Sequence, residues 1–244
     1  MSESEKDEIA RLKQEILYLQ GGALDLKGEN GQLIIPHEIE PVIARMVEEF
    51  VKPDDCILEL GGRTGSVSCL INKKLTNPAN HVVLEPDPTV QDLIKSNRDA
   101  NECKFQIIEG VVGEEPLRLM GSGEQTTSIP CSPAYEPVLD YTVDYLQGLV
   151  STPFTGLIAD CEGCLKYFFP QNKEFIKSLR VFIFEKDCPQ KTAYPEIEKY
   201  LTEIRRLSCV GNSGFYSAWT SRLDVLKSKN ITPTSKRVPQ ARRK

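Results

Sequence analysis

The chain has 244 residues, 40% hydrophobic and 27% charged, which suits one large globular domain with additions. No apolar run approaches the roughly 18 residues a membrane span needs, and the polar start Met1-Ser2-Glu3-Ser4-Glu5 lacks the apolar centre of a signal peptide. The expectation is a soluble, cytoplasmic protein. Its formal net charge of −5 is unevenly spread: Lys227 to Lys244 holds Lys227, Lys229, Lys236, Arg237, Arg242, Arg243 and Lys244 with no acid.

In chain order, Ile9, Leu12, Ile16 and Leu19 form one apolar stripe, predicting a helix over 5–20 that Gly21-Gly22 ends. Such a short stripe either packs on the body or supports weak self-association, a possible homodimer. Residues 23–36 read as a hairpin or irregular lead-in around Lys27-Gly28-Glu29-Asn30-Gly31, and 38–50 as a helix with Ile39, Val42, Ile43 and Met46 on one side. From residue 51 strands and helices alternate, the pattern of a doubly wound, mostly parallel α/β sheet. Strands are expected at 55–60, 81–85, 105–108, 156–160 and 181–185, with helices over about 66–75, 88–99, after Gly163, and 195–207. Residues 111–140 read as hairpin and loop, and 207–210 with 214–219 as a closing antiparallel pair. The expected organisation is a lead-in packed on the core over 1–50, the core over 51–222, and a basic, disordered tail over 223–244. That tail is either a solubility segment or a contact for nucleic acid, anionic lipid or an acidic partner.

Eight cysteines are expected to act as free thiols, several of them as small hydrophobes within apolar elements. Cys161 and Cys164 make a C-x-x-C pair, yet no second pair accompanies it and the chain has two histidines, so no metal is expected. Asp160 and Glu185 would suit a hard divalent ion, but strand-end acids are common without one. Tyr141, Tyr145, Tyr167, Phe168 and Phe169 are read as core ahead of pocket wall.

Candidate chemistry collects at three strand ends: Glu59 through Gly65, Glu85, and Asp160 with Glu162. Ligands of open α/β sheets bind at the carboxyl ends of central strands. Gly61, Gly62 and Gly65 would let the backbone pass close to a ligand, and Glu85 would accept hydrogen bonds from ribose hydroxyls. A dinucleotide fold prefers G-x-G-x-x-G, whereas this turn runs Gly-Gly-x-x-Gly after Glu59, whose carboxylate would repel a pyrophosphate. S-adenosylmethionine, with an ammonium, a sulfonium, a ribose and no phosphate, suits these acids better than NAD.

The Glu-Leu-Gly-Gly-x-x-Gly turn, Leu-Glu-Pro-Asp-Pro, Asn97…Asn101, Ile-Glu-Gly-Val-Val-Gly (108–113), Ile-Ala-Asp-Cys-Glu-Gly (158–163) and Val-Phe-Ile-Phe-Glu (181–185) together resemble the FkbM-type class I methyltransferases over 55–220. The resemblance implies a Rossmann-like seven-stranded sheet with an antiparallel last strand. It also implies methyl transfer from S-adenosylmethionine to a hydroxyl of a small molecule or sugar. By position, Glu59, Gly61, Gly62 and Gly65 would cradle the methionine part of the cofactor, Glu85 the ribose, and Gly110 and Val111 the adenine. Asp160 would sit nearest the sulfonium, and Asp160 or Glu162 would be the catalytic base. Their alternative role is structural, as a cap or loop tie. His37 and His81 are weaker base candidates. Leu165 stands where the family often has an acid, and Arg63 where it often has a smaller or neutral residue. The rival expectation is a non-catalytic methyltransferase-like domain that binds partners or nucleic acid.

Overall fold

A computed structural model of the chain describes residues 12, 24–113, 117–120, 127–130, 139–186, 192–204, 207–212, 214–221 and 224. The expected helix over 5–20 and the basic tail lie outside these residues.

Seven strands form the central sheet: β1 (Ile57–Leu60), β2 (His81–Leu84), β3 (Gln106–Ile108), β8 (Gly156–Ala159), β9 (Val181–Glu185), β10 (Leu207–Asn212) and β11 (Tyr216–Ser221). Their order is β10-β11-β9-β8-β1-β2-β3. All pairings from β9 to β3 are parallel, while β11 is antiparallel to both its neighbours. This is the predicted doubly wound sheet; of the closing pair, β10 runs two residues past the expected 210 and β11 is shifted two residues beyond the expected 214–219. The segment 111–140 contributes β4 (Val111–Val112) paired to β7 (Asp140–Tyr141), and a separate hairpin of β5 (Leu117–Met120) and β6 (Thr127–Pro130).

The core follows from strand parity. Leu58, Leu60, Val82, Leu84, Leu157, Phe182 and Phe184 face one side, against α5 (Val143–Gln147), α6 (Leu165–Gln171), α7 (Lys173–Ser178) and α8 (Tyr194–Glu203). Phe168 and Phe169 join that layer, so the core reading of these aromatics holds, whereas Tyr145 is exposed. Ile57, Ile158, Val181 and Ile183 face the other side, against α2 (Pro41–Phe50) and α3 (Ser66–Lys74). Each fully buried Phe, Leu or Ile in these layers contributes on the order of 1.5–3 kcal/mol, so both sheet faces hold the fold. Helix α8 stops at Glu203, short of the predicted 207: its apolar spacing runs on, but Leu207 is taken by β10 instead.

The lead-in is stitched to the core. Short α1 (Pro36–Ile39) and α2 each start on a proline, which is suited to a first helical turn. Lys27 and Leu33 form a single isolated antiparallel bridge within the lead-in. Asn97 and Asn101, on α4 (Gln91–Ala100) and just past its end, bind the backbone of Lys27 and Asp25, each with both donor and acceptor groups, at 2.7–2.9 Å. Two asparagines thus replace a strand edge as the anchor of residues 24–28.

Candidate active site

The sheet order reverses between β1 and β8, since β2 and β3 continue to one side of β1 and β9 to the other. At such a switch point adjacent connections leave in opposite directions and open a crevice. Here the crevice is a cavity of about 350 Å³ lined by Gly61–Thr64, Glu85, Gly110, Val111, Asp160–Glu162, Glu185 and Tyr216, with Glu40 from the lead-in.

The glycine turn keeps its shape for reasons the motif does not reveal. A Cβ on Gly61, whose φ is +88°, would lie 1.8 Å from the Asp160 carbonyl oxygen. On Gly62 it would lie 2.5 Å from Val83 Cγ1, and on Gly65 3.0 Å from Ile94 Cγ1. The absent side chains of these glycines make room for the protein's own packing.

Glu85 is 6% exposed. Its carboxylate accepts from the amides of Gly62 (3.1 Å), Arg63 (2.7 Å) and Asp87 (2.8 Å). Burial raises its pKa, an effect larger than the opposing pull of these three donors. The Gly61 and Gly65 amides bind the Leu84 and Gly62 carbonyls at 2.9 and 2.6 Å. Four of the five amides of this turn are therefore engaged within the protein, which leaves little of the N–H cradle that a pyrophosphate requires. Asn97 holds the turn from outside by donating to the Thr64 carbonyl at 2.8 Å. Arg63, at φ +39°, ties the turn to the lead-in through an ion pair with Glu29, and its Nη1 lies 4.0 Å from Asp87.

Glu59 departs from expectation. It borders the cavity, but its carboxylate is only 3% exposed and engaged below: Oε1 accepts from Ser68 Oγ at 3.0 Å, and Oε2 meets His81 Nε2 at 2.8 Å. Strand parity is the cause, because residue 59 shares the α3 face with Ile57. Asn72 Nδ2 lies 3.4 Å from His81 Nδ1 and can only donate, so Nδ1 accepts and Nε2–H points to Glu59. His81 thus braces the floor of the site. Glu85, which already occupies the Gly62 and Arg63 amides, and not Glu59, is the carboxylate that disfavours a diphosphate at the turn. His37 lies at the surface, 3.1 Å from Glu48, and does not line the cavity.

Asp160 and Glu162 line the same cavity, next to the glycine turn. Asp160 Oδ2 accepts from the Tyr216 hydroxyl at 3.1 Å. Tyr216 comes from the antiparallel strand β11, opposite Glu185 of β9, and burial followed by the Asp160 and Glu185 carboxylates pushes its phenol well above the usual range. It therefore stays protonated and donates. Sequence reading placed Tyr216 in a closing strand but missed this role; the available signal was a tyrosine in the strand pairing with Glu185. Glu162 is left-handed at φ +52° and precedes Gly163 at φ +88°. Gly110 and Val111 line the cavity, and Gly110, at φ +150°, is crowded by the Leu139 carbonyl at 2.4 Å from a would-be Cβ.

One cysteine expectation is overturned. Cys161 and Cys164 are joined in a disulfide, while Cys56, Cys69 and Cys103 are free and buried and Cys209 free and exposed. The expectation treated every thiol alike; the turn after β8 instead brings these two Cα atoms to 5.4 Å, within bridging distance. Among the described residues no group of three or more His, Cys, Asp or Glu is arranged to hold a metal ion, and no helix is long and apolar enough to cross a membrane.

Strand order, the antiparallel β11 and the cavity at the switch point define a Rossmann-like, mostly parallel seven-stranded sheet. No protein-family model matches the sequence, and no curated protein does. Similar solved structures include an O-methyltransferase from Bacillus cereus in complex with SAH, at 15% identity over 91% of this chain and 93% of that one, TM-score 0.46. Another is the O-methyltransferase TomG from Streptomyces achromogenes with SAM, at 14% identity, 87% and 89% coverage and TM-score 0.46. A third is a ribosomal protein L11 methylase from Lactobacillus delbrueckii subsp. bulgaricus, at 14% identity, 75% and 77% coverage and TM-score 0.44. The fold assignment rests on the strand order itself.

Proposed function

We propose that the chain is an S-adenosylmethionine-dependent methyltransferase acting on a hydroxyl of a small molecule or sugar, in the manner of the FkbM-type enzymes it resembles. The observation that carries this reading is the convergence of the glycine turn with Glu85, and of Asp160 with Tyr216, on one cavity. The donor set fits the cofactor: engaged turn amides disfavour a diphosphate, and the cavity's carboxylates suit a ligand carrying an ammonium and a sulfonium. Gly61–Gly65 and Glu85 would hold its methionine and ribose parts, and Gly110 with Val111 its adenine.

S-adenosylmethionine, when bound, supplies an electrophilic methyl group. The chain's own contribution is to orient the acceptor oxygen and take its proton. Asp160 is the proposed base. Tyr216 fixes the orientation of its carboxylate by donating to Oδ2. Glu162 shares this wall and would position a second acceptor hydroxyl. His81, bound to Glu59, and His37, outside the cavity, take no part.

Calorimetric titration with S-adenosylmethionine tests the reading. Binding should appear at micromolar cofactor and weaken in Glu85→Gln, with the fold of the variant checked by its melting curve. No binding up to high micromolar cofactor, or binding indifferent to Glu85→Gln, would sink it. A partner contact through the seven basic residues of 227–244 is the second part of the proposal.

A further inference from the structure

The C-x-x-C pair stands apart from every role assigned so far. Cys161 and Cys164 are half-buried and both border the cavity, so a small solute can reach them. Their disulfide closes the smallest loop a C-x-x-C pair allows. A cross-link's effect on the unfolded chain grows with the logarithm of the loop it closes, so this short one adds less to global stability than a long-range bridge would. What it constrains is local. The Cys164 amide donates to the Cys161 carbonyl at 3.2 Å, and the two residues between, Glu162 and Gly163, both have positive φ. That is the signature of a type I′ turn, and its first central residue is a glutamate, which pays the left-handed cost that glycine avoids. The bridge ties together the two ends of this turn. Next to it, the Cα of Cys161 and the carbonyl of Asp160 press on the face of Gly61 where a Cβ would be, with no side chain between.

From this juxtaposition we propose that Cys161–Cys164 is a reversible thiol–disulfide site, the bridged form holding Glu162 in its left-handed turn and thereby setting the shape of the adjoining glycine turn. Its reductant is a dithiol. One dithiol sulfur attacks a bridge sulfur to give a mixed disulfide, and the second displaces the cysteine. The S–S bond is broken, two electrons and two protons pass to the cysteine sulfurs, and the dithiol closes to its own disulfide. Of the other described cysteines, Cys56, Cys69 and Cys103 are buried and Cys209 faces solvent far from a second thiol in sequence. The consequence for ligand affinity rests on the methyl-donor reading above; the coupling between the two turns does not.

The test compares full-length protein after mild diamide oxidation and after dithiothreitol. Alkylation with peptide mass mapping should find Cys161 and Cys164 blocked in the first sample and both labelled in the second. Amide hydrogen exchange over 61–65 and 160–165 should quicken on reduction. S-adenosylhomocysteine affinity should fall about fivefold or more, the lower range of a coupling between sites. The Cys161→Ser/Cys164→Ser protein should match the reduced sample and ignore dithiothreitol. Free thiols at 161 and 164 after oxidation overturn the proposal. So do equal exchange rates at 61–65 in both states, or a dithiothreitol response that persists in the double variant. An exchange difference with no S-adenosylhomocysteine binding in either state would instead sink the methyl-donor reading and leave the redox coupling standing.

Discussion

Tyr216 and Asp160 form the pair on which the chemistry of the proposed site turns. Asp160→Asn keeps the size of the side chain but removes its basicity, so turnover should fall by about 100-fold or more while S-adenosylhomocysteine affinity changes little. Tyr216→Phe removes one hydrogen bond to a carboxylate; kcat should drop by roughly tenfold with cofactor affinity preserved, since the ring still fills its place. Steady-state kinetics beside calorimetry separates these outcomes from a general loss of structure. Glu85 carries a pH signature. Its raised pKa means the folded protein takes up a proton before the unfolded chain does. Its contribution to stability is therefore fully present below the ordinary carboxylate range and is lost as pH rises through the raised value. Cofactor binding runs the other way, because ribose hydroxyls donate to the ionised form. Affinity should weaken as pH falls through that value, and Glu85→Gln should flatten both curves in melting and calorimetric series.

At the scale of elements, the connections around the sheet decide more than the strands. Arg180, just before β9, is bound to Asp55, which is 3% exposed, and Arg180 Nη1 reaches Asp224 at 3.1 Å. The Thr155 hydroxyl also donates to Asp55 at 2.7 Å, so this cluster ties the amino-terminal ends of β1, β8 and β9. Arg180→Ala strands a buried carboxylate and should cost about 3 kcal/mol in denaturant unfolding. The strands were legible because runs such as Gly156–Ala159 and Val181–Phe184 are apolar on both faces, as buried parallel strands must be. Which face each strand-end acid would take was less legible. Glu59 and Glu85 both follow apolar runs, yet one turns under α3 to His81 and the other up to the glycine turn. Parity along a single strand does not say what the neighbouring helix offers. Tyr216 escaped notice because its partner, Asp160, lies 56 residues away.

For the molecule as a whole, the charge is segregated between a basic stretch at 227–244 and an acidic remainder, and the cavity adds carboxylates from four strand ends and the lead-in. An acceptor bearing phosphate or sulfate would meet these charges at short range, so neutral or cationic hydroxyl compounds should be methylated in preference to anionic analogues in a substrate panel. Removing 227–244 should leave cofactor affinity unchanged. If the segment binds nucleic acid, the intact chain's affinity for it should fall steeply between low and moderate salt and vanish on truncation. A truncated protein with the same nucleic-acid binding would assign that contact elsewhere.

The contact between Gly61 and the Asp160 carbonyl also has a hereditary side. The two positions are 99 residues apart in sequence, but neither can be altered in shape without the other giving way. A lineage that acquires a side chain at 61 must lengthen or redirect the connection after β8 in the same step, or lose the crevice. Among descendants of this chain, the identity at 61 and the length of 160–164 should therefore be inherited together, as a single character.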